Sequence, residues 1–156
     1  MEQPRSATKN MTSYRVIYGD TDQMGVVYYA NYLRWFESGR SEFLRQIGCP
    51  YTQIESRGYH FPVTELSCRY FKPVHYDDLI TIETQLTLVR RATLNFHYKI
   101  FRQGEGEPIA MGSSTHACVT ASGRIARIPA DLANLLASVV QIDPDRPTDG
   151  YSARRG

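Results

Sequence analysis

The stretch that decides the fold is Tyr18-Gly-Asp-Thr-Asp-Gln-Met-Gly-Val-Val-Tyr-Tyr-Ala-Asn-Tyr-Leu-Arg-Trp-Phe-Glu37. It leaves a short strand, crosses a loop holding two carboxylates and Gly25, and enters a helix with an apolar face. From Tyr29 onward, Tyr32, Leu33, Phe36, Phe43, Leu44 and Ile47 recur at three- and four-residue steps, the period of a helix with one wide buried side. Gly39 within that run predicts the close approach of another backbone. Gly48 and Pro50 end the helix, glycine as a left-handed cap and proline just beyond it. A buried helix of about five turns in a chain of 156 residues is predicted to be the centre of the fold. Its first turn carries unpaired N–H groups and the positive end of the helix dipole, aimed at whatever the loop 20–27 encloses. An oxyanion would be stabilised there.

Two aspartates before a helix have two readings. Carboxylates are favoured in turns because they accept local backbone N–H bonds, and they also act as bases and nucleophiles. Asp20 reads as the residue that pins the turn. Asp22, nearer Gly25 and the helix start, is the candidate for chemistry.

Outward from this stretch, residues 1–12 lack the apolar run of a signal peptide or membrane helix and read as a flexible lead-in. A strand is predicted from near Tyr14, with Tyr14, Val16 and Tyr18 alternating with Arg15 and Ile17. Beyond the helix, 51–57 reads as a short helical turn ended by Gly58. Strands follow over 61–72, 79–90, 93–102 and 108–120, rich in Thr, Ile, Val and aromatics. The glycine-free link between Arg90 and Thr93 reads as a bulge in a bent strand. A turn at Gly123, a last strand over 124–128 and a helix opening at Pro129, with Leu132, Leu135 and Leu136 on one face, complete the domain 13–140. Residues 141–156, with Pro144, Pro147, Gly150 and scattered arginines, read as a flexible tail. One strand, one long helix and then four or five strands is an α+β pattern in which an antiparallel sheet wraps a single helix.

At 42% hydrophobic and 22% charged, the composition is that of one ordinary soluble domain. A formal charge of +2 offers no general electrostatic case for nucleic acid or a membrane surface. Cys49, Cys68 and Cys118 are odd in number and widely spaced in apolar surroundings, which argues against a disulfide framework or zinc site and for reduced thiols in a cytoplasmic protein. His60, His75, His97 and His116 are dispersed, and none joins a recognisable nucleophile motif.

The run Tyr18-Gly19-Asp20-Thr21-Asp22, followed by Gly25-Val26-Val27-Tyr28-Tyr29-Ala30-Asn31-Tyr32, resembles the signature of hot-dog-fold acyl-CoA thioesterases. The nearer groups are the 4-hydroxybenzoyl-CoA thioesterase-like enzymes and the Tol-Pal-associated acyl-CoA thioesterases. Tyr76-Asp77-Asp78-Leu79, Arg90-Arg91, Gly123-Arg124 and Arg127-Ile128-Pro129 extend the resemblance over roughly residues 13 to 138.

The resemblance implies the hot-dog fold, a cytoplasmic homodimer or homotetramer with active sites between subunits, and hydrolysis of an acyl- or aroyl-CoA thioester. No cofactor is implied, since coenzyme A is part of the substrate. It makes Asp22 the catalytic carboxylate, as nucleophile or as general base to a water, with the Tyr29 amide polarising the carbonyl. Gly25, Val27 and Glu37 would line the substrate site, the alternative reading of Glu37 being a structural hydrogen bond. Arg90, Arg91 and Thr93 would meet the nucleotide phosphates, although the aromatic-substrate enzyme has a further basic residue where this chain has Ala92. The alternative reading of Arg90 and Arg91 is a solvated strand end. Tyrosine at position 29 is the residue of the aromatic-substrate enzymes, whereas the Tol-Pal-associated relatives usually carry histidine, which tilts the expected acyl group toward an aryl or compact one. The rivals are a hydratase or dehydratase of acyl thioesters, a non-catalytic acyl-CoA-binding or scaffold protein of the same fold, and an acyl-ACP thioesterase.

Overall fold

A computed structural model describes residues 8–140; the tail at 141–156 and the first seven residues lie outside the described residues. The element order is β1 (Lys9–Arg15), a 3-10 turn (Tyr18–Asp20), α1 (Asn31–Gln46), α2 (Tyr51–Ser56), β2 (Tyr59–His60), β3 (Val63–Tyr70), β4 (Leu79–Val89), β5 (Thr93–Arg102), β6 (Ala110–Ala117), β7 (Val119–Thr120) and α3 (Ala130–Ala137). Strands β1, β4, β5, β6 and β3 form one antiparallel sheet in that spatial order, and β2 pairs with β7.

The sheet encloses α1 because each presents an apolar face to the other, at the helical period on α1 and at alternate residues on the strands. Tyr32, Trp35, Phe36, Gly39, Phe43 and Leu44 are buried on the helix, while Ile80, Ile82, Leu86, Leu94, Phe96, Tyr98 and Ile100 project from β4 and β5. Phe36 stacks on Tyr98 with ring centroids 4.3 Å apart, and Phe43 meets Phe96 edge-on at 5.8 Å. Such aromatic pairs add about 0.5–1.5 kcal/mol each beyond their buried area. The helix ends as expected, with Gly48 at φ +89° and the Cys49 N–H returning to the Leu44 carbonyl at 3.0 Å.

Several sequence expectations are corrected. The helix opens at Asn31, two residues later than its apolar period suggests, because Tyr28 to Ala30 belong to the turn that enters it. The first strand reaches back to Lys9, so part of the expected lead-in is paired with β4. Its polar residues suit an edge strand, and Asn10 is buried by a 2.7 Å bond from its amide to Gln46 Oε1. Gly39 admits side chains, not backbone: a Cβ there would meet Thr84 Oγ1 and Ile82 Cγ2. The link from Arg90 to Thr93 is a hairpin turn closed by the Arg90 N–H on the Thr93 carbonyl at 2.8 Å, and the register break of that pair lies between Leu86 and Leu88. The strand expected over 108–120 is divided into β6 and β7 at Cys118, whose N–H turns to the Ala92 carbonyl. The expected final strand is reduced to one bridge, Ile125 to Val119.

One tight junction of sheet and helix, whose neighbours are a core ring and backbone, is Gly112 on β6. A Cβ added there would overlap the Phe36 ring and lie 2.5 Å from the Ser67 carbonyl of β3, neither of which can move without disturbing the core. Gly112→Ala is expected to cost at least about 1–3 kcal/mol of stability, measured by urea unfolding.

Candidate active site

The loop ahead of α1 is a small hairpin. Thr21 and Val27 form a bridge, Asp22 N–H donates to the Val26 carbonyl at 2.9 Å, and Gly25 N–H returns to the Asp22 carbonyl at 3.0 Å. Gly25 has φ +78°, a conformation that a side chain would strain. Val27 is buried and donates its N–H to the Val74 carbonyl at 2.7 Å, which fastens the loop to the segment entering β4.

The two aspartates have different environments. Asp20 is 4% exposed, and its Oδ2 accepts from the Tyr14 hydroxyl at 2.7 Å and the Ile17 N–H at 3.0 Å. Its carbonyl accepts from the Tyr28 N–H and the Asn31 side chain, both at 2.8 Å. This carboxylate is consumed in holding the turn. Asp22 is partly exposed, and its Oδ1 accepts only the Met24 N–H at 2.9 Å, a local Asx turn. Among the described residues Oδ2 of Asp22 accepts no hydrogen bond.

Asp22 opens onto a groove of about 330 Å³ with Val27, Tyr29, Tyr32, Tyr70 and Phe71 among its walls and Lys72 at its edge. Helix α1 begins at this groove with no side-chain cap and no acidic residue in its first turn. Asn31, the natural capping type, is turned away to Asp20. The Tyr29 N–H donates to no acceptor among the described residues, while the Tyr29 carbonyl accepts the Tyr70 hydroxyl at 2.7 Å. The Tyr29 side chain is 63% exposed. Burial pushes the Tyr32 phenol up to about 12, and burial followed by the neighbouring Cys68 thiol pushes Tyr70 up, so both walls remain neutral donors.

The other expected site residues are not gathered here by one chain. Glu37 is exposed on α1 and faces a second cavity. Arg90 and Arg91 are exposed in the β4–β5 turn, whereas the Asp22 loop is held beside the opposite end of β4 through Val16 N–H to the Asp78 carbonyl. Strand β4 has 11 residues, so the two groups are separated along it by about 33–36 Å at the usual strand rise. Thr93 opens β5 at the arginine end and pairs with Ala117. Sequence reasoning missed the Tyr70 and Phe71 wall, whose distance in sequence from Asp22 gives no local signal. Among the described residues no helix is long and apolar enough to cross a membrane, and no group of three or more His, Cys, Asp or Glu is placed to hold a metal.

This geometry accompanies a clear kinship. A family model for the thioesterase-like superfamily matches residues 16–136. The chain belongs to that superfamily. It is 39% identical over 89 residues to the acyl-CoA thioesterase YbgC of Haemophilus influenzae, covering 56% of this chain and 65% of the relative. It is 30% identical over 105 residues to the 1,4-dihydroxy-2-naphthoyl-CoA hydrolase of Thermosynechococcus vestitus, covering 67% and 71%. Among solved structures, the DHNA-CoA thioesterase of Staphylococcus aureus superposes with a TM-score of 0.80 at 28% identity, covering 84% of this chain and 90% of that one. The sheet wrapped on α1 is thus the hot-dog fold of thioesterases.

The contrast between the aspartates is measurable. Asp20→Ala orphans the Tyr14 hydroxyl and the Ile17 N–H and is expected to lower stability by about 1–3 kcal/mol, whereas Asp22→Ala is expected to leave the unfolding midpoint within a degree or so of wild type, about 0.5 kcal/mol or less. Thermal unfolding followed by circular dichroism checks both.

Proposed function

We propose that this member of the superfamily hydrolyses an acyl- or aroyl-CoA thioester to the free acid and coenzyme A, with Asp22 as the catalytic carboxylate. The observation that carries the reading is that a carboxylate oxygen and an amide, on Asp22 and Tyr29, without a partner among the described residues, border one groove at the uncapped start of α1. A thioester carbonyl laid against that helix end would accept the Tyr29 N–H, and such a preorganised donor is worth about 2.7–4 kcal/mol in the transition state. Asp22 then attacks the carbonyl carbon or takes a proton from an attacking water. The departing thiolate is a good leaving group, so the reaction does not depend on a strong general acid. Val27 lines the groove, and Gly25, which is not among its lining residues, supplies the turn of the loop.

The names of the relatives support both parts of the substrate: YbgC of H. influenzae is named for acyl-CoA, and the T. vestitus and S. aureus proteins for a naphthoyl-type CoA. The tyrosine walls and the tyrosine at position 29 favour a compact or aromatic acyl group over a long chain. Thiol release from a panel of benzoyl-, 4-hydroxybenzoyl- and straight-chain acyl-CoAs tests the reading. Wild type is expected to turn over the aryl or short members, and Asp22→Asn to lose about 10²–10⁴-fold in kcat with folding and acyl-CoA binding retained. Near-full activity of Asp22→Asn would remove Asp22 from the chemistry; binding without turnover by wild type would favour a scaffold of this fold.

Arg90 and Arg91 take part in this reading only if a second copy brings them to the Asp22 groove. Guanidinium groups suit phosphates through paired hydrogen bonds, and the separation along β4 supports a reading in which the site is shared between subunits of a homodimer or homotetramer. The expectation is specific. Asp22→Asn and the double variant Arg90→Ala, Arg91→Ala are each impaired alone, and mixing them under subunit exchange restores activity, because hybrid assemblies contain a site with Asp22 from one chain and both arginines from the other. Absence of any restoration, with exchange demonstrated by mass spectrometry, places the arginines outside the site.

A further inference from the structure

The apolar period of α1 reaches back to Tyr29, but its hydrogen bonds do not. In a helix continued to that residue, the Leu33 N–H would bond the Tyr29 carbonyl four positions earlier. It bonds the Ala30 carbonyl instead, at 3.2 Å. The Tyr29 carbonyl is taken by a side chain from β3, the Tyr70 hydroxyl, at 2.7 Å. A carbonyl only accepts, so the direction of this bond is fixed.

Residue 29 therefore lies between two peptide planes that are each held from outside. The plane on its N-terminal side carries the Tyr29 N–H, and the carbonyl of that plane, from Tyr28, accepts the Asn31 N–H at 2.9 Å. The plane on its C-terminal side is held at its carbonyl by Tyr70. Peptide units are rigid, so holding both planes leaves little rotation between them. If Tyr70 let go, the second plane could turn until Leu33 captured the Tyr29 carbonyl. One more residue would then wind into the helix, and the rotation would re-aim the Tyr29 N–H.

Tyr70 can hold this position because the sheet holds Tyr70. It is the last residue of β3 and pairs with Ala110 of β6. The next two amides, of Phe71 and Lys72, both bond the Ile109 carbonyl, at 2.9 and 3.2 Å. Its ring stands edge-on to Tyr32 with centroids 4.8 Å apart. Tyr70 is nevertheless 46% exposed, so water can replace its hydroxyl on the Tyr29 carbonyl. The bond then adds little to stability, and its effect is on geometry. We propose that Tyr70 is a positioning residue for thioester hydrolysis: by holding the Tyr29 carbonyl it stops α1 from winding back through residue 29 and keeps the Tyr29 N–H available at the groove. The inference rests on the proposed activity, in which that N–H polarises the thioester carbonyl.

Tyr70→Phe removes the hydroxyl and keeps the ring. It is expected to lower kcat by about tenfold, short of the roughly 10²–10³-fold of losing an oxyanion donor outright. KM is expected to stay within about twofold of wild type, the pattern of an interaction made in the transition state, and the unfolding midpoint within a degree or so. Infrared difference spectra of benzoyl-CoA isotope-labelled at its carbonyl carbon supply a readout that a structural role would not move. Bound to Asp22→Asn, the carbonyl stretch is expected below its value in water, and the downshift is expected to shrink in the double variant Asp22→Asn, Tyr70→Phe. A crystal structure of Tyr70→Phe is expected to show the Leu33 N–H on the Tyr29 carbonyl. An unchanged kcat, an equal downshift in the single and double variants, or a Tyr29 carbonyl that keeps its place overturns the proposal while the proposed activity stands. Absence of any downshift with Tyr70 present removes the Tyr29 N–H from the chemistry, and the role of Tyr70 with it. Hydrolysis of no thioester, with the carbonyl moved in the Tyr70→Phe crystal, shows instead that the proposed activity has failed and the hold on Tyr29 has not.

Discussion

The close seating of α1 in the concave sheet is the constraint on which the other features depend. Phe36 can lie flat on Tyr98 only because β6 has no side chain at Gly112, and the helix can approach β4 only because Gly39 leaves space for Thr84 and Ile82. Interiors are packed nearly as densely as organic crystals, so such absences of a methyl group are structural elements in their own right. With the helix seated there, its two ends are set: Gly48 closes one, and the other opens, without a cap, at the Asp22 groove.

The loop before the helix divides labour between two carboxylates that look equivalent in sequence. Asp20 is buried and accepts from a tyrosine hydroxyl and a backbone amide, and its carbonyl also takes the Asn31 side chain that would otherwise cap α1. Asp22 is left with one local bond and an open side. A capped helix start would have satisfied the amides that a polarised carbonyl requires. The pinning residue thus leaves the helix end uncapped as well as holding the turn.

The inner face of the sheet is not uniformly apolar. Strand β6 alternates buried and half-buried residues along its length, and its inward positions include Gly112, Ser114 and His116. The first accommodates an aromatic ring, and the other two extend the hydrogen bonds of Tyr98 to the Phe61 carbonyl. Buried polar groups are tolerated when each donor finds an acceptor. Here every link is satisfied from Tyr98 to Phe61.

Much of this was legible in the sequence. The three- and four-residue recurrence from Tyr32 to Ile47 determined the central helix and its buried side, Gly48 its end, and the alternation of Thr, Ile and aromatics the strands 79–90 and 93–102, because these signals depend on local geometry and on period alone. The asymmetry of the aspartates was legible as well, since Asp22 sits closer to the helix start. What the tertiary structure decided was which distant residues share a space. Tyr70 and Phe71 join Asp22, Arg40 joins Tyr98 and His116, and Arg90 with Arg91 is carried to the far end of β4 from the groove. The strand beginning at Lys9 and the hairpin at Arg90 belong with these, because the edge pairing and turn that define them are contacts with other strands. Period reports which face of an element is buried; it does not report what lies opposite, and that depends on the path of the whole chain.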